Sequence, residues 1–374
     1  MLPLLPRHGD ILVITENHDD VTLLHQQDRF SVVVGESGSE QPVDDLHRRL
    51  TRSLAFQALP FPPGVFASAW IRCRGQVNSD LVARALRSVR PDGPVTVVLD
   101  VGAADRLSQA TAAMRTVATS CGSVILGEGP ESEGGYVWIL RRQAAGHEGP
   151  PCDFCEPWRF RLNARAGLPG AAGVLWGDDD LYLIPDVSPV SAGHLLLVTS
   201  RHHLSMSAAP APTIGALDGC TDRIDELFRR AYGRPAVFLE HGSTRGHPAG
   251  ACIEHAHWHC LPDLGDILDQ IARWDLRGRR HALDDLAGLR DSAYLLVRTH
   301  GETWVFDAEN LPCQFLRLIV TEARHRPAWR WQQLLDTPQG RELVLDTLGV
   351  TIPAADMILA GTSPSAVPQG AGNE

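Results

Sequence analysis

Residues 255–261 read His255-Ala256-His257-Trp258-His259-Cys260-Leu261, three imidazoles on alternate positions separated by small or apolar residues. In an extended strand successive side chains point to opposite faces, so this spacing predicts His255, His257 and His259 on one face and Ala256, Trp258 and Cys260 on the core face. Three imidazoles sharing one wall suit a metal, an anion or a reaction. A second chemical signal is Cys152-Asp153-Phe154-Cys155, a C-x-x-C pair that taken alone is redox-active, metal-binding or incidental. Arg201-His202-His203 follows the apolar strand 195–198, and the triplet offers His255. Two thiolates and two imidazoles are therefore available for a closed tetrahedral site, for which zinc is the natural occupant.

The elements that position these groups are legible in outline. A chain of 374 residues, 44% hydrophobic and 21% charged, is long enough for two cores. The polar, Gly/Pro-rich stretch 143–151 is the expected junction, giving units at 1–145 and 146–361 and a Ser/Pro/Gly/Ala-rich tail at 362–374 read as disordered. In the first unit, β-rich runs at 11–15, 30–35, 95–100, 122–126 and 136–141 alternate with helical patterns at 43–56, 80–89 and 104–119, the pattern of a mostly parallel α/β sheet. From 263 to 361, amphipathic helices at 314–322 and 340–348 and a strand at 293–298 are expected to pack on the second unit, with Trp329 and Trp331 at the core edge. Gln314 and Arg317 share one face of the first of these helices, with packing rather than phosphate binding as the expectation.

Composition removes several function classes. All 34 basic residues are arginine, so Schiff-base chemistry and a Walker-type phosphate loop, each needing a lysine amine, are excluded. A net charge of −11 argues against a nucleic-acid polymer as partner and favours a small phosphorylated ligand. No apolar run approaches the ~20 residues of a membrane span, and the start lacks the basic and apolar regions of a signal peptide, so a cytoplasmic protein is expected. Eight unevenly spaced cysteines suit a reducing compartment with one metal site.

Two family resemblances follow. The segment 58–66, the stretch 86–94 and the closing run Gly134-Gly135-Tyr136-Val137-Trp138-Ile139-Leu140-Arg141-Arg142 resemble the central and later part of class I S-adenosylmethionine-dependent methyltransferases, which implies a Rossmann-like sheet ending in a hairpin strand. Yet Thr15-Glu16-Asn17-His18-Asp19-Asp20 lacks the glycine-rich turn that lets backbone approach the cofactor, although Glu36 stands where the acidic residue after the second strand is expected. The first unit thus reads as a degenerate Rossmann-like α/β domain, and S-adenosylmethionine is not expected as a cofactor.

The order Cys152-x-x-Cys155, then Leu183-Ile184-Pro185-Asp186-Val187-Ser188-Pro189, Gly193-His194-Leu195-Leu196-Leu197-Val198 and His203, then His255/His257/His259, resembles the histidine-triad (HIT) superfamily of nucleotide hydrolases and transferases. The resemblance implies an α+β domain with a mostly antiparallel five-stranded sheet, commonly a homodimer. It implies His257 as nucleophile on the α-phosphorus of a ribonucleotide conjugate, His259 as donor to the phosphate oxygens, Asp186 as holder of the ribose hydroxyls, and structural zinc on Cys152, Cys155, His203 and His255. Two departures stand out. Gly250-Ala251-Cys252 replaces the usual Gly-Gln-Ser, putting Cys252 beside the leaving group, and Glu240-His241-Gly242 occupies the place of an asparagine, putting Glu240 toward the substrate. His241, Arg245 and His247 are read as a polar loop. Relatives that transfer nucleotides to a sugar phosphate tend to carry glutamine in the third place, where this chain has His259, which favours hydrolysis over transfer. A nucleotide-binding regulatory protein without chemistry is the third reading.

Overall fold

The computed structural model describes residues 11–15, 31–34, 52–54, 61–74, 76–91, 93–100, 104–130, 135–142, 152–155, 159, 173–244, 253–308, 311, 314–324 and 337–361. The expected junction near residue 145, the tail 362–374, Glu36, Arg245, His247, Cys252, Trp329 and Trp331 all lie outside them.

Strands β1 (Ile11–Ile14), β2 (Ser31–Val34), β3 (Arg52–Leu54), β4 (Ser68–Arg74), β5 (Pro94–Asp100), β6 (Ser123–Pro130) and β7 (Gly135–Arg142) form one sheet in the order β3-β2-β1-β4-β5-β7-β6. From β3 through β5 all neighbours are parallel, while β7 runs antiparallel to both β5 and β6. The order reverses at β1/β4, as in doubly wound sheets, and the terminal hairpin strand expected at 134–142 is present. Helix α1 (Ser79–Ser88) starts where the Asn78 side chain accepts from the Leu81 N–H at 3.1 Å, and buries Leu81, Val82, Ala85 and Leu86 along one stripe. Helix α2 (Ala104–Ser120) matches its expected span. One expectation fails: residues 52–54, read as the end of a helix, are β3, held by parallel pairing to β2 that no local periodicity announces.

The second sheet has eight strands rather than the expected five, all antiparallel: β13 (Arg279–Arg280), β15 (Glu302–Asp307), β14 (Tyr294–Thr299), β11 (Ala236–Gly242), β12 (His257–Pro262), β10 (Leu195–Thr199), β9 (Leu181–Pro185) and β8 (Trp176–Gly177), in that spatial order. The extra strands come largely from the region read as a helical extension, where β14 and β15 pair as a hairpin and extend the sheet past β11. Helix α3 (Ala211–Gly215) and helix α4 (Leu217–Tyr232) follow β10; α4 buries Leu217, Cys220, Ile224, Leu227 and Phe228 in the same core as Trp258 and Cys260. Across the sheet, Val237, Leu239 and Leu261 join a separate core with Ile267 and Ile271 of α5 (Ile267–Ala272) and Phe315, Leu316, Ile319 and Val320 of α6 (Phe315–Ala323). Helix α7 (Pro338–Gly361) packs on α4 and also touches β3 and β9. No helix among the described residues is long and apolar enough to cross a membrane.

Candidate active site and metal centre

Strand β12 shows the alternation expected of it: Trp258 and Cys260 are fully buried, whereas His257 and His259 are half-buried on the other face. His255 lies in the turn just before the strand rather than in it. That turn points its ring at the C-x-x-C loop. The Nδ1 atom of His255 is 3.4 Å from Cys152 Sγ and 3.5 Å from Cys155 Sγ, and Cys155 Sγ is 3.5 Å from Nδ1 of His202. All four donor atoms fall within 4.8 Å of one another. Sulfur and nitrogen ligands at ~2.3 and ~2.0 Å around tetrahedral zinc would themselves be about 3.5 Å apart, so the set fits the ion in chemistry and in spacing. The neighbouring Cys155 thiol, helped by His255 and opposed by burial, pulls the Cys152 thiol down to about 3, so it is a thiolate, the ligand form, at neutral pH. Nε2–H of His255 donates to the Thr199 carbonyl at 2.8 Å, which fixes the tautomer that leaves Nδ1 free for a metal.

The fourth member is therefore His202 and not His203, the residue expected. In the turn after β10 it is His202 whose Nδ1 reaches Cys155 Sγ, while the His203 carbonyl accepts from the Ala256 N–H. With four protein ligands a metal here would have no open position, and what it would supply is rigidity for the turn that launches β12.

On the histidine face, Nδ1–H of His257 donates to the His255 carbonyl at 2.6 Å, leaving Nε2 as the lone-pair nitrogen. Burial, partly offset by that bond, lowers the His257 pKa, so the ring is neutral at pH 7. The His259 ring centroid is 5.1 Å away. His194, on the turn into β10, accepts the Val190 N–H on Nδ1 at 3.3 Å, so its Nε2–H faces His259 Nδ1 at 2.8 Å. His259 then carries its proton on Nε2. Burial pushes its pKa well below the usual imidazole range. One neutral ring thus presents a nucleophilic nitrogen and the next an N–H donor. Phe154 of the metal loop packs 5.5 Å from both His255 and His257, joining the two centres.

Asp186 is buried beside this group, with Oδ2 3.5 Å from His194 Nδ1. Both of its oxygens are engaged: Oδ1 accepts the Ser188 N–H at 2.7 Å and Oδ2 accepts Arg317 Nη1 at 2.8 Å. Burial alone would raise its pKa, but His194 and Arg317 reverse this and hold it below the usual carboxylate range. Arg317 is the lasting partner, because burial brings His194 down to about 4 and leaves it neutral. Arg317, read from sequence as a packing residue of a helix face, reaches over the sheet from α6 and also donates to the Ser188 carbonyl. Between α6 and β12 a narrow gap borders His259 and Arg317, with Leu239 and Leu316 among its walls and no room for a water molecule.

Glu240 does not face a substrate. Its carboxylate is fully buried on the Trp258 side, Oε1 accepting the Met206 N–H at 2.7 Å and Oε2 accepting Trp258 Nε1–H at 2.9 Å and the Tyr294 hydroxyl at 2.7 Å. Strand parity decides this: Leu239 pairs with His259, so Glu240 takes the opposite face. Gly242 permits the arrangement, since a Cβ there would lie 2.1 Å from the Tyr294 ring. The same parity turns His241 onto the histidine face, within β11 and not on a loop.

No protein-family model matches the chain, and no curated protein does. Among solved structures it is similar to a hypothetical histidine triad nucleotide-binding protein of Sulfolobus tokodaii (26% identity, TM-score 0.24, covering 30% of this chain and 68% of that one). It is also similar to a Hit-like protein involved in cell-cycle regulation from Bartonella henselae (18%, 0.21, 24% and 67%). A third similarity is to the 1,6-didemethyltoxoflavin-N1-methyltransferase of Burkholderia thailandensis (14%, 0.28, 36% and 72%).

Proposed function

We propose that the protein cleaves ribonucleotide conjugates at the α-phosphate through a nucleotidylated His257. The observation that carries this reading is the pair of opposed tautomers: the His255 carbonyl accepts the Nδ1–H of His257, and His194 donates to Nδ1 of His259. The Nε2 lone pair of His257 attacks phosphorus, a P–N bond forms and the bond to the leaving group breaks, with the departing electron pair on the leaving atom. His259 Nε2–H donates to the phosphoryl oxygens as charge builds. Water then attacks the P–N intermediate and returns the ring. The Cys152/Cys155/His202/His255 set would hold a structural zinc that keeps the turn rigid. The first unit is read as a domain without methyl-donor chemistry, given the absence of glycine in residues 15–20.

The test is acid-quenched intact-mass measurement of the protein mixed with adenylyl, guanylyl, cytidylyl and uridylyl conjugates. A nucleotide-sized adduct in the wild type, missing in His257→Gly, is expected. Decay of the adduct to free nucleotide in water identifies hydrolysis, whereas persistence until a phosphate or hydroxyl acceptor is added identifies transfer. Turnover that survives in His257→Gly would end the proposal.

A further inference from the structure

We propose that His241 is a third imidazole of the reacting face, its Nε2–H a donor to a phosphoryl oxygen of the substrate beside His257. The assignment deepens the nucleotidyl-histidine reading and rests on it. Strand parity is the first ground. Val237 and Leu239 of β11 lie in the core on the histidine side with Leu261, while Phe238 and Glu240 contact Trp258 on the other. The alternation leaves His241 on the side of His257 and His259.

The second ground is an unmet bond. His241 Nε2 is buried and has no hydrogen-bond partner among the described residues. Buried polar nitrogens are rarely left so, and a group that a ligand completes is one of the few explanations. The two carboxylates close to this region are both committed elsewhere, Glu240 behind the strand and Asp186 to Arg317. For a ring carrying its proton on Nε2, an oxyanion, which brings acceptors and no protons, is the class of ligand that would complete the bond.

The third ground is fixed orientation. The His241 ring lies parallel to Phe315 of α6, 5° between planes and 6.2 Å between centroids, and Trp274 braces Phe315 edge-on at 5.1 Å. Helix α6, which closes the His259 end of the face, thereby also aligns the imidazole next to the nucleophile. Burial brings His241 down to about 4, with the positive charge of a protonated His257 acting in the same direction. The ring is therefore neutral at pH 7 and acts as a hydrogen-bond donor, not as a cation.

Two variants and one titration test this. His241→Phe keeps an aromatic ring against Phe315 but removes the donor, and His241→Gln offers an amide N–H in its place. Loss of a single oxyanion donor lowers rate by about 100-fold or more. The rate of His257 adduct formation is thus expected to fall about 100-fold in His241→Phe and to recover about tenfold in His241→Gln, with metal content and melting temperature unchanged. Independently, the wild type carrying nitrogen-15 histidine is titrated with inorganic phosphate. A saturable change at His241 Nε2 with a downfield-shifted proton is expected, and weaker phosphate binding in His241→Phe. A wild-type adduct rate in His241→Phe, or a phosphate response at His257 with none at His241, overturns the assignment. Should no conjugate yield an adduct in the wild type, the nucleotidyl reading fails on its own, and the phosphate titration still decides whether His241 binds the anion.

Discussion

At the residue scale the site is a problem of proton placement. Backbone carbonyls settle two of the tautomers: Thr199 fixes His255 with Nδ1 toward the thiols, and His255 in turn fixes His257 with Nε2 outward. A chain of fixed protons thus runs from the Cys/His cluster to His257. The sequence announces His257 and His259 because strand periodicity needs no tertiary information. It does not separate His202 from His203, since the turn after β10 decides which ring enters the cluster. The structure makes the distinction testable. His202→Ala is expected to bind well under one zinc per chain and to melt earlier, while His203→Ala retains about one, as read by metal analysis of purified protein. Equal zinc in both variants would remove His202 from the ligand set. Glu240 and His241 show the same limit from another side: adjacent residues on a strand must face apart, and the sequence says which pair alternates but not which member faces the core.

At the element scale β12 is held by both its faces. Behind it, Glu240 gathers donors from three places, the 3-10 turn at Met206–Ala208, β12 and β14. In front, Arg317 of α6 ties Asp186 and Ser188 to the covering helix. The helical stripe of α6 is plain in sequence, but that Arg317 points into the sheet is not, because a buried guanidinium is tolerable only beside a carboxylate contributed 131 residues away. Burial pushes Glu240 from 4.5 up to about 7 despite its three donors, and this gives stability a sign and a pH window. As pH rises past 4.5 the unfolded chain loses its proton while the folded protein keeps it until about pH 7. The contribution of Glu240 is therefore fully present in acid and falls by roughly 3 kcal/mol across that interval. Urea unfolding of wild type and Glu240→Gln at pH 5 and pH 8 checks this: the wild type is expected to lose stability relative to the variant as pH rises. A difference independent of pH would show that the carboxyl stays ionised throughout.

At the scale of the whole molecule the two sheets are joined by more than chain connectivity. One buried cluster contains Phe61, Val65 and Phe66 from the first part together with Trp176, Leu181 and Tyr182 from the second. Arg159 pins the seam. Its guanidinium donates to the Pro63 carbonyl at 2.6 Å, to the Ser200 carbonyl and, through Nε, to the Phe154 carbonyl at 3.2 Å, while it lies over the Tyr182 ring at 5.1 Å. One side chain thus links the first unit, the metal loop and the exit of β10. The alternation of strands and helices makes the mostly parallel character of the first sheet legible from sequence, though not its strands β3 and β4, and a junction drawn from composition alone carries no sign of this shared core. Removing Arg159 takes one donor from each of the Pro63, Ser200 and Phe154 carbonyls, of which Phe154 keeps the Tyr182 hydroxyl, a loss of roughly 2–4 kcal/mol. We therefore expect calorimetry of the full chain to show a single cooperative transition, and Arg159→Ala to melt earlier and separate into two. Two independent transitions already present in the wild type would mean that the seam is closed without being coupled, and that the first sheet is not what steadies the metal loop.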